Sequence, residues 1–224
     1  MDSALSVVSA NGMAWHEASA VHVPAGVLHH VTLSCGQVIC YLVEPEFADV
    51  SVIGQFGPMP WAAEAVAWDL LFSLSTHELR SWREFGCQAD GELDRLVLGQ
   101  PLAARHPDFR MADVVRRIRA NPALAWQASD AAVHCGLSAS RFMHAFKSEI
   151  GVGWRSFRAW KRARALLACV HTGTNLTQVA LSLGYPDGTH FSHAIRQITG
   201  LRPSDIIEGS RHLSVWNESG LTPA

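Results

Sequence analysis

The second half of the chain writes one pattern twice: a short helix, a glycine turn and a longer helix, with a single long basic helix between the two copies. Asp108–Ala120 leads in, with Met111, Val114, Val115 and Ile118 on one face at three- and four-residue spacing, and Asn121-Pro122 ends it. Ser129–Cys135 then reads as a short helix. In the turn Gly136-Leu137-Ser138, Gly136 supplies positive φ and Ser138 can cap the next helix. Ser138–Glu149 follows, with Phe142, Phe146 and Ile150 inward, until Gly151 and Gly153 stop it. Trp154–His171 is expected as one long helix. Trp154, Phe157, Trp160, Ala163, Leu167 and Val170 lie along one side; Arg155, Arg158 and Arg162, flanked by Lys161 and Arg164, lie along the other. Leu176–Leu183, the turn Gly184-Tyr185-Pro186 and Asp187–Thr199 repeat the pattern, with Phe191, Ile195 and Ile198 inward and Gly200 and Pro203 at the end.

Helix, glycine turn, helix is the helix-turn-helix arrangement, whose second helix fits a DNA major groove about 12 Å wide. One copy is a weak signal, because many helical bundles contain such a turn. Two copies joined by one long helix are far more specific. An 18-residue helix measures about 27 Å, against about 34 Å between successive major grooves on one face of DNA. An ordinary helical bundle would not explain why both second helices carry polar residues where a core helix carries apolar ones.

Charge agrees with this division. The whole chain of 224 residues has a net charge of −2, but residues 1–105 carry four Lys+Arg against 12 Asp+Glu, a net −8, and residues 106–224 carry 14 against eight, a net +6. Such asymmetry suggests that one half faces a polyanion. The basic residues of the long helix have a competing use, as ion-pair partners for the acidic half. With 48% hydrophobic and 17% charged residues the composition is globular, and no apolar run reaches the length of a membrane span. Neither a basic region nor a sustained apolar stretch opens the chain, so no signal peptide is expected. Five scattered cysteines without a Cys-x-x-Cys pair fit a reducing cytoplasm, with no metal and no cofactor.

The residues also carry a family resemblance. Ala131-Ala132-Val133-His134-Cys135-Gly136-Leu137-Ser138, then Arg141-Phe142, Phe146-Lys147 and Gly151, resembles the first helix-turn-helix of the AraC/XylS transcription regulators. Val179-Ala180 through Leu183-Gly184-Tyr185, then His190-Phe191-Ser192, Ile195-Arg196, Gly200 and Arg202-Pro203-Ser204, is similar to the second. The resemblance covers roughly residues 108–208, loosest over 165–175, and departs at His193 and Ile195, where the family commonly has Arg and Phe. It implies that Ser140, Met143 and His144 face bases from the first reading helix, and Gly188, Thr189, Ser192 and His193 from the second. Ser and Thr discriminate weakly among base edges. Arg141, Lys147 and Arg196 are placed for phosphates. Each of these residues has an ordinary reading as a solvated surface side chain.

Residues 1–58 read as β. Ala20–Val23, His30–Leu33 and Gln37–Val43 are short and rich in Val, Ile and Thr, and Pro24, Gly26, Gly36 and Pro45 punctuate them. Pro24-Ala25-Gly26-Val27-Leu28-His29 resembles the second motif of cupin barrels, which serve as sensor domains in many AraC/XylS-type regulators. Only 23 residues precede it, so a half barrel is expected, and the motif that supplies most cupin metal ligands is missing although His22, His29 and His30 are present. Trp61 to about Trp82 reads as helix, and Trp61–Leu74 serves either dimerisation or cover for the sheet. The expected fold class is α+β. A small half-cupin-like β region (1–58), a helical segment (59–84) and a connection (85–107) precede an all-α domain of two helix-turn-helix units joined by a long helix (108–210), and then a tail without clear structure (211–224).

The expected function is a bacterial, cytoplasmic, sequence-specific regulator of transcription with double-stranded DNA as its partner. The resemblance adds a small-molecule effector, a homodimer and, for an activator, RNA polymerase as further partners. A cupin-type isomerase or oxygenase is disfavoured, because acid, base and nucleophile are nowhere clustered. A non-specific DNA or protein-interaction module is the other alternative.

Overall fold

The computed structural model describes residues 100–169, 175–199 and 201–209 continuously. Elsewhere it describes 5–9, 15–18, 21–23, 29–33, 43–49, 57–58, 215–217 and 220–222, with Val27 and Leu98. The chain divides into two compact units, Met1–Ala104 and Arg105–Ala224.

In the first unit, strands β1 (Leu5–Ser9), β2 (Trp15–Ala18) and β4 (His29–Leu33) form an antiparallel sheet in the order β2-β1-β4, with Val8 opposite Trp15 and Val7 opposite Val31. β1 and β2 are not among the segments expected from the sequence, although Asn11-Gly12 between them is a strong hairpin signal. β3 (Val21–His22) pairs with β6 (Gly57–Pro58), and β5 (Ala48–Asp49) pairs with β7 (Ala103–Ala104). The last of these brings a piece of the stretch 85–107, read from the sequence as a connection, into strand pairing. The expected helix Trp61–Trp82, nearly all of the strand Gln37–Val43 and most of the cupin-like motif lie outside the described residues.

The second unit is helical: α1 (Phe109–Ala120), α2 (Ala128–His134), α3 (Ala139–Ile150), α4 (Trp154–Cys169), α5 (Leu176–Ser182), α6 (Gly188–Thr199) and α7 (Pro203–Gly209). Caps set the starts. Asp108 accepts from Arg110 N, Ser138 from Arg141 N, Asn175 from Thr177 N, and Asp187 from Thr189 N and His190 N. Both turns use glycine in the left-handed region, Gly136 at φ 66° and Gly184 at φ 76°. The tail, expected without structure, instead pairs β8 (Val215–Asn217) with β9 (Gly220–Thr222). Two three-residue strands are too short for alternation to announce them.

Two separate cores hold this unit. The first joins Met111, Val114, Ile118, Phe142, Phe146, Ile150, Trp154 and Phe157, with edge-on contacts of Phe146 to Trp154 and to Phe157. The second joins Ala163, Leu166, Val179, Ala180, Phe191, Ile195 and Ile206. Helix α4 serves both. At about 100° per residue, Trp154 and Phe157 lie about 180° around the helix from Ala163 and Leu166. This corrects the expectation of a single apolar side. Trp160 is only half-buried, and Lys161, expected among the basic residues, is 5% exposed, because it falls on the Phe157 face with its ammonium over that ring at 5.1 Å. The helix also spans 16 residues rather than 18, about 24 Å; Val170 and His171 lie outside the described residues.

Two arginines of α4 have backbone partners. Arg158 donates from Nη1 to the carbonyl of Trp126 and from Nη2 to that of Leu124, and Arg162 Nε donates to the carbonyl of Pro122. These bonds satisfy carbonyls of the connection between α1 and α2, against which the turn of the second unit also sits: a Cβ on Gly184 would stand 3.1 Å from Ala123 O. Residues 122–126 are thus the joint at which both helix-turn-helix units meet.

Candidate nucleic-acid interface

Burial of Phe142, Phe146 and Ile150 fixes the rotation of α3, and burial of Phe191 and Ile195 fixes that of α6. The opposite stripe of each helix must then face water. On α3 it carries Ser140, Met143, His144 and Lys147, all exposed, which line one shallow depression. On α6 it carries Thr189, Ser192, His193 and Arg196, all exposed, with Gly188 half-buried at the start of the helix. Arg141 is exposed in the first turn of α3. Every residue expected to face DNA is therefore on, or at the start of, an outer stripe.

The two stripes correspond residue by residue. Ser140 matches Thr189, Met143 matches Ser192, His144 matches His193 and Lys147 matches Arg196, 49 positions apart in every case. Their inward partners keep the same offset, Phe142 with Phe191 and Phe146 with Ile195, as do the caps Ser138 and Asp187. Hydroxyl, imidazole and cation recur in the same order along both helices. Solubility alone does not require such an order, because any polar side chain would satisfy an exposed position.

Asp187 fixes the start of α6 more firmly than Ser138 fixes that of α3. Its Oδ1 accepts from Thr189 N and His190 N at 2.8 Å each, and Oδ2 lies 2.8 Å from His190 Nδ1. The His190 bonds first, and then those to Thr189, hold the Asp187 carboxyl below its ordinary range. Among the described residues no group of His, Cys, Asp and Glu could hold a metal ion, and no helix is long and apolar enough to cross a membrane.

Residues 131–208 match the helix-turn-helix domain family. They form a helix-turn-helix domain of the AraC/XylS type. The invasion protein InvF of Salmonella typhi and that of Salmonella typhimurium are each 34% identical to this chain over 77 residues, 33% of this chain and 36% of theirs. The chain thus spans about a third of the length of these curated relatives. Among solved structures, a DNA-binding transcriptional dual regulator from Escherichia coli K-12 is 22% identical. That match covers 50% of this chain and 99% of the other, with a TM-score of 0.43. The DNA-binding domain of AdpA, a global transcriptional factor in complex with a target DNA, is 17% identical, covering 46% and 94%, with a TM-score of 0.44.

The AraC/XylS-type domain contains one feature that sequence reasoning missed. Arg155, Arg158 and Arg162 line a groove that also touches Met143 of α3, and Tyr185 and Ala194 of the second unit. Their spacing placed them on one side of α4, but nothing in the sequence said what that side would face.

Proposed function

We propose that the protein is a sequence-specific DNA-binding transcription regulator that inserts α3 and α6 into successive major grooves. The observation that carries this reading is the pair of matching exposed stripes, each anchored by a buried apolar face, on the two second helices of a tandem helix-turn-helix domain. In it, Ser140, Met143, His144, Gly188, Thr189, Ser192 and His193 meet base edges, and Arg141, Lys147 and Arg196 meet phosphates. The N-terminal unit is the regulatory part, a half-cupin-like sensor that binds a small-molecule effector or pairs two chains. RNA polymerase is a partner if the regulator activates.

Selection from random duplex DNA, followed by footprinting, tests this. The expected result is one enriched sequence protected over two major grooves about one helical turn apart. Enrichment of no sequence would indicate a non-specific module. A footprint confined to one groove would rule out paired insertion.

A further inference from the structure

The groove between the two helix-turn-helix units concentrates positive charge in its lining. Three arginines line it, Arg155, Arg158 and Arg162, and among the described residues no carboxylate does. Two of the three are already engaged by backbone carbonyls, which fix their guanidinium groups without neutralising them. Burial first, then the charge of Arg162, pushes Arg158 below the usual arginine range. Polar capacity is also left over. Arg158 Nε and the Tyr185 hydroxyl are both buried without a hydrogen-bond partner, and Tyr185 is only 9% exposed. A buried donor left without a partner is costly. Two unused donors beside a cluster of cations are the chemistry of an anion site.

Position says which anion. Met143 lines both this groove and the depression on the outer stripe of α3, and Ala194 follows His193 on α6. The groove therefore opens beside both reading helices. When two such helices lie in successive major grooves, a strand of DNA backbone must pass between them.

We infer that this groove seats one backbone phosphate of that crossing strand, with Arg155 and Arg158 as charged donors and the Tyr185 hydroxyl as a neutral one. The inference rests on the DNA-binding reading above. Arg155 is the contact to vary, because it is exposed and, unlike Arg158 and Arg162, holds no carbonyl of the 122–126 joint.

The full-length chain is tested on its selected duplex, with single phosphates replaced one at a time by neutral methylphosphonates. One linkage between the two protected grooves should cost the wild type about tenfold in affinity. The same replacement should cost Arg155→Gln less than about twofold, and Arg155→Gln should lower the slope of log affinity against log salt by about 0.9. Tyr185→Phe, which removes only the hydroxyl, should lose part of the same effect. Equal sensitivity of wild type and Arg155→Gln at every linkage would overturn the inference. A second arm needs no DNA. Inorganic phosphate is titrated at low ionic strength while the guanidinium Nε–H signals of Arg155 and Arg158 are followed by NMR. If no duplex is selected, the DNA reading fails, and this arm decides the site alone: a saturable shift lost in Arg155→Gln upholds an anion site, and no shift overturns it. A shift with phosphate but no linkage effect on DNA overturns the DNA backbone as the source and assigns the groove to a free anion.

Discussion

Arg105 Nη1 donates to the carbonyl oxygen of Glu149 at 3.1 Å, so the first residue of the C-terminal unit closes the last turn of α3. The chain just beyond is tied to the same place, because Asp108 N donates to Glu149 Oε2 at 2.7 Å. A guanidinium at a helix C-terminus both satisfies a carbonyl and opposes the negative end of the helix dipole. Arg105→Ala is expected to cost about 1 kcal/mol in stability and to weaken DNA binding through α3. Urea unfolding and a titration with the selected duplex measure both. A fragment beginning at Arg105 should likewise be more stable than one beginning at His106. If the two fragments unfold together, the contact contributes nothing to the end of α3.

The two turn glycines should not tolerate alanine equally. Each lies in the left-handed region, where a Cβ costs about 1–2 kcal/mol. At Gly136 the new atom would meet nothing within 4 Å, whereas at Gly184 it would stand 3.1 Å from the carbonyl oxygen of Ala123. Gly184→Ala is therefore expected to destabilise more than Gly136→Ala. It should also disturb the joint at 122–126 that Arg158 and Arg162 hold. Thermal melts of the two variants compare the cost, and amide hydrogen exchange over residues 122–126 locates it. Equal losses with unchanged exchange would show that the joint yields freely.

Acid should unfold this domain partly through Asp113. Arg117, then His134, then Arg116 hold its carboxyl well below the ordinary value of 3.8. A group whose folded pKa is depressed contributes stability above its unfolded pKa and loses it as pH falls toward the folded value. The contribution of Asp113 is therefore present near neutrality and declines below about pH 4. Asp113→Asn should lower stability at neutral pH and flatten the acid limb of the stability profile. Identical acid limbs in the two proteins would remove Asp113 from the account.

What the sequence made legible follows from how local each signal is. Helix rotation in α3 and α6 was readable because Phe142, Phe146, Phe191 and Ile195 repeat at the helical period, and that rotation alone exposes the other stripe. The turns were readable because Gly136 and Gly184 answer a backbone requirement within a few residues. Helix α4 was misread because periodicity reports one buried face, and this helix buries two, one per core. The carbonyl partners of Arg158 and Arg162 were hidden for a related reason. A carbonyl of residue 124 or 126 as the partner of Arg158 is a contact across more than 30 positions, and no charge pattern announces an acceptor that every residue carries. In the N-terminal unit the pairing of Ala48–Asp49 with Ala103–Ala104 was hidden the same way, by strands only two residues long.

On the proposed DNA-binding reading, α6 would make two kinds of DNA contact within one turn. Arg196 follows His193 by three positions, toward the end of the helix that carries its basic last turn. A cation there is placed for backbone phosphate, which positions the protein without reading sequence. Arg196→Ala is expected to weaken binding by a similar factor on every duplex. His193 lies one turn earlier, with an imidazole that can donate or accept at a base edge. His193→Ala is expected to relax preference at one base pair, costing about 1–3 kcal/mol on the favoured base and little on the others. His144, its counterpart 49 positions earlier, should behave in the same way at a different base pair, about one helical turn of DNA away. The check is a panel of duplexes with single base-pair changes, measured at one fixed salt concentration against each variant. If His193→Ala and His144→Ala lower affinity uniformly across the panel, the two imidazoles meet phosphate, and base reading falls to the hydroxyls of Ser140, Thr189 and Ser192.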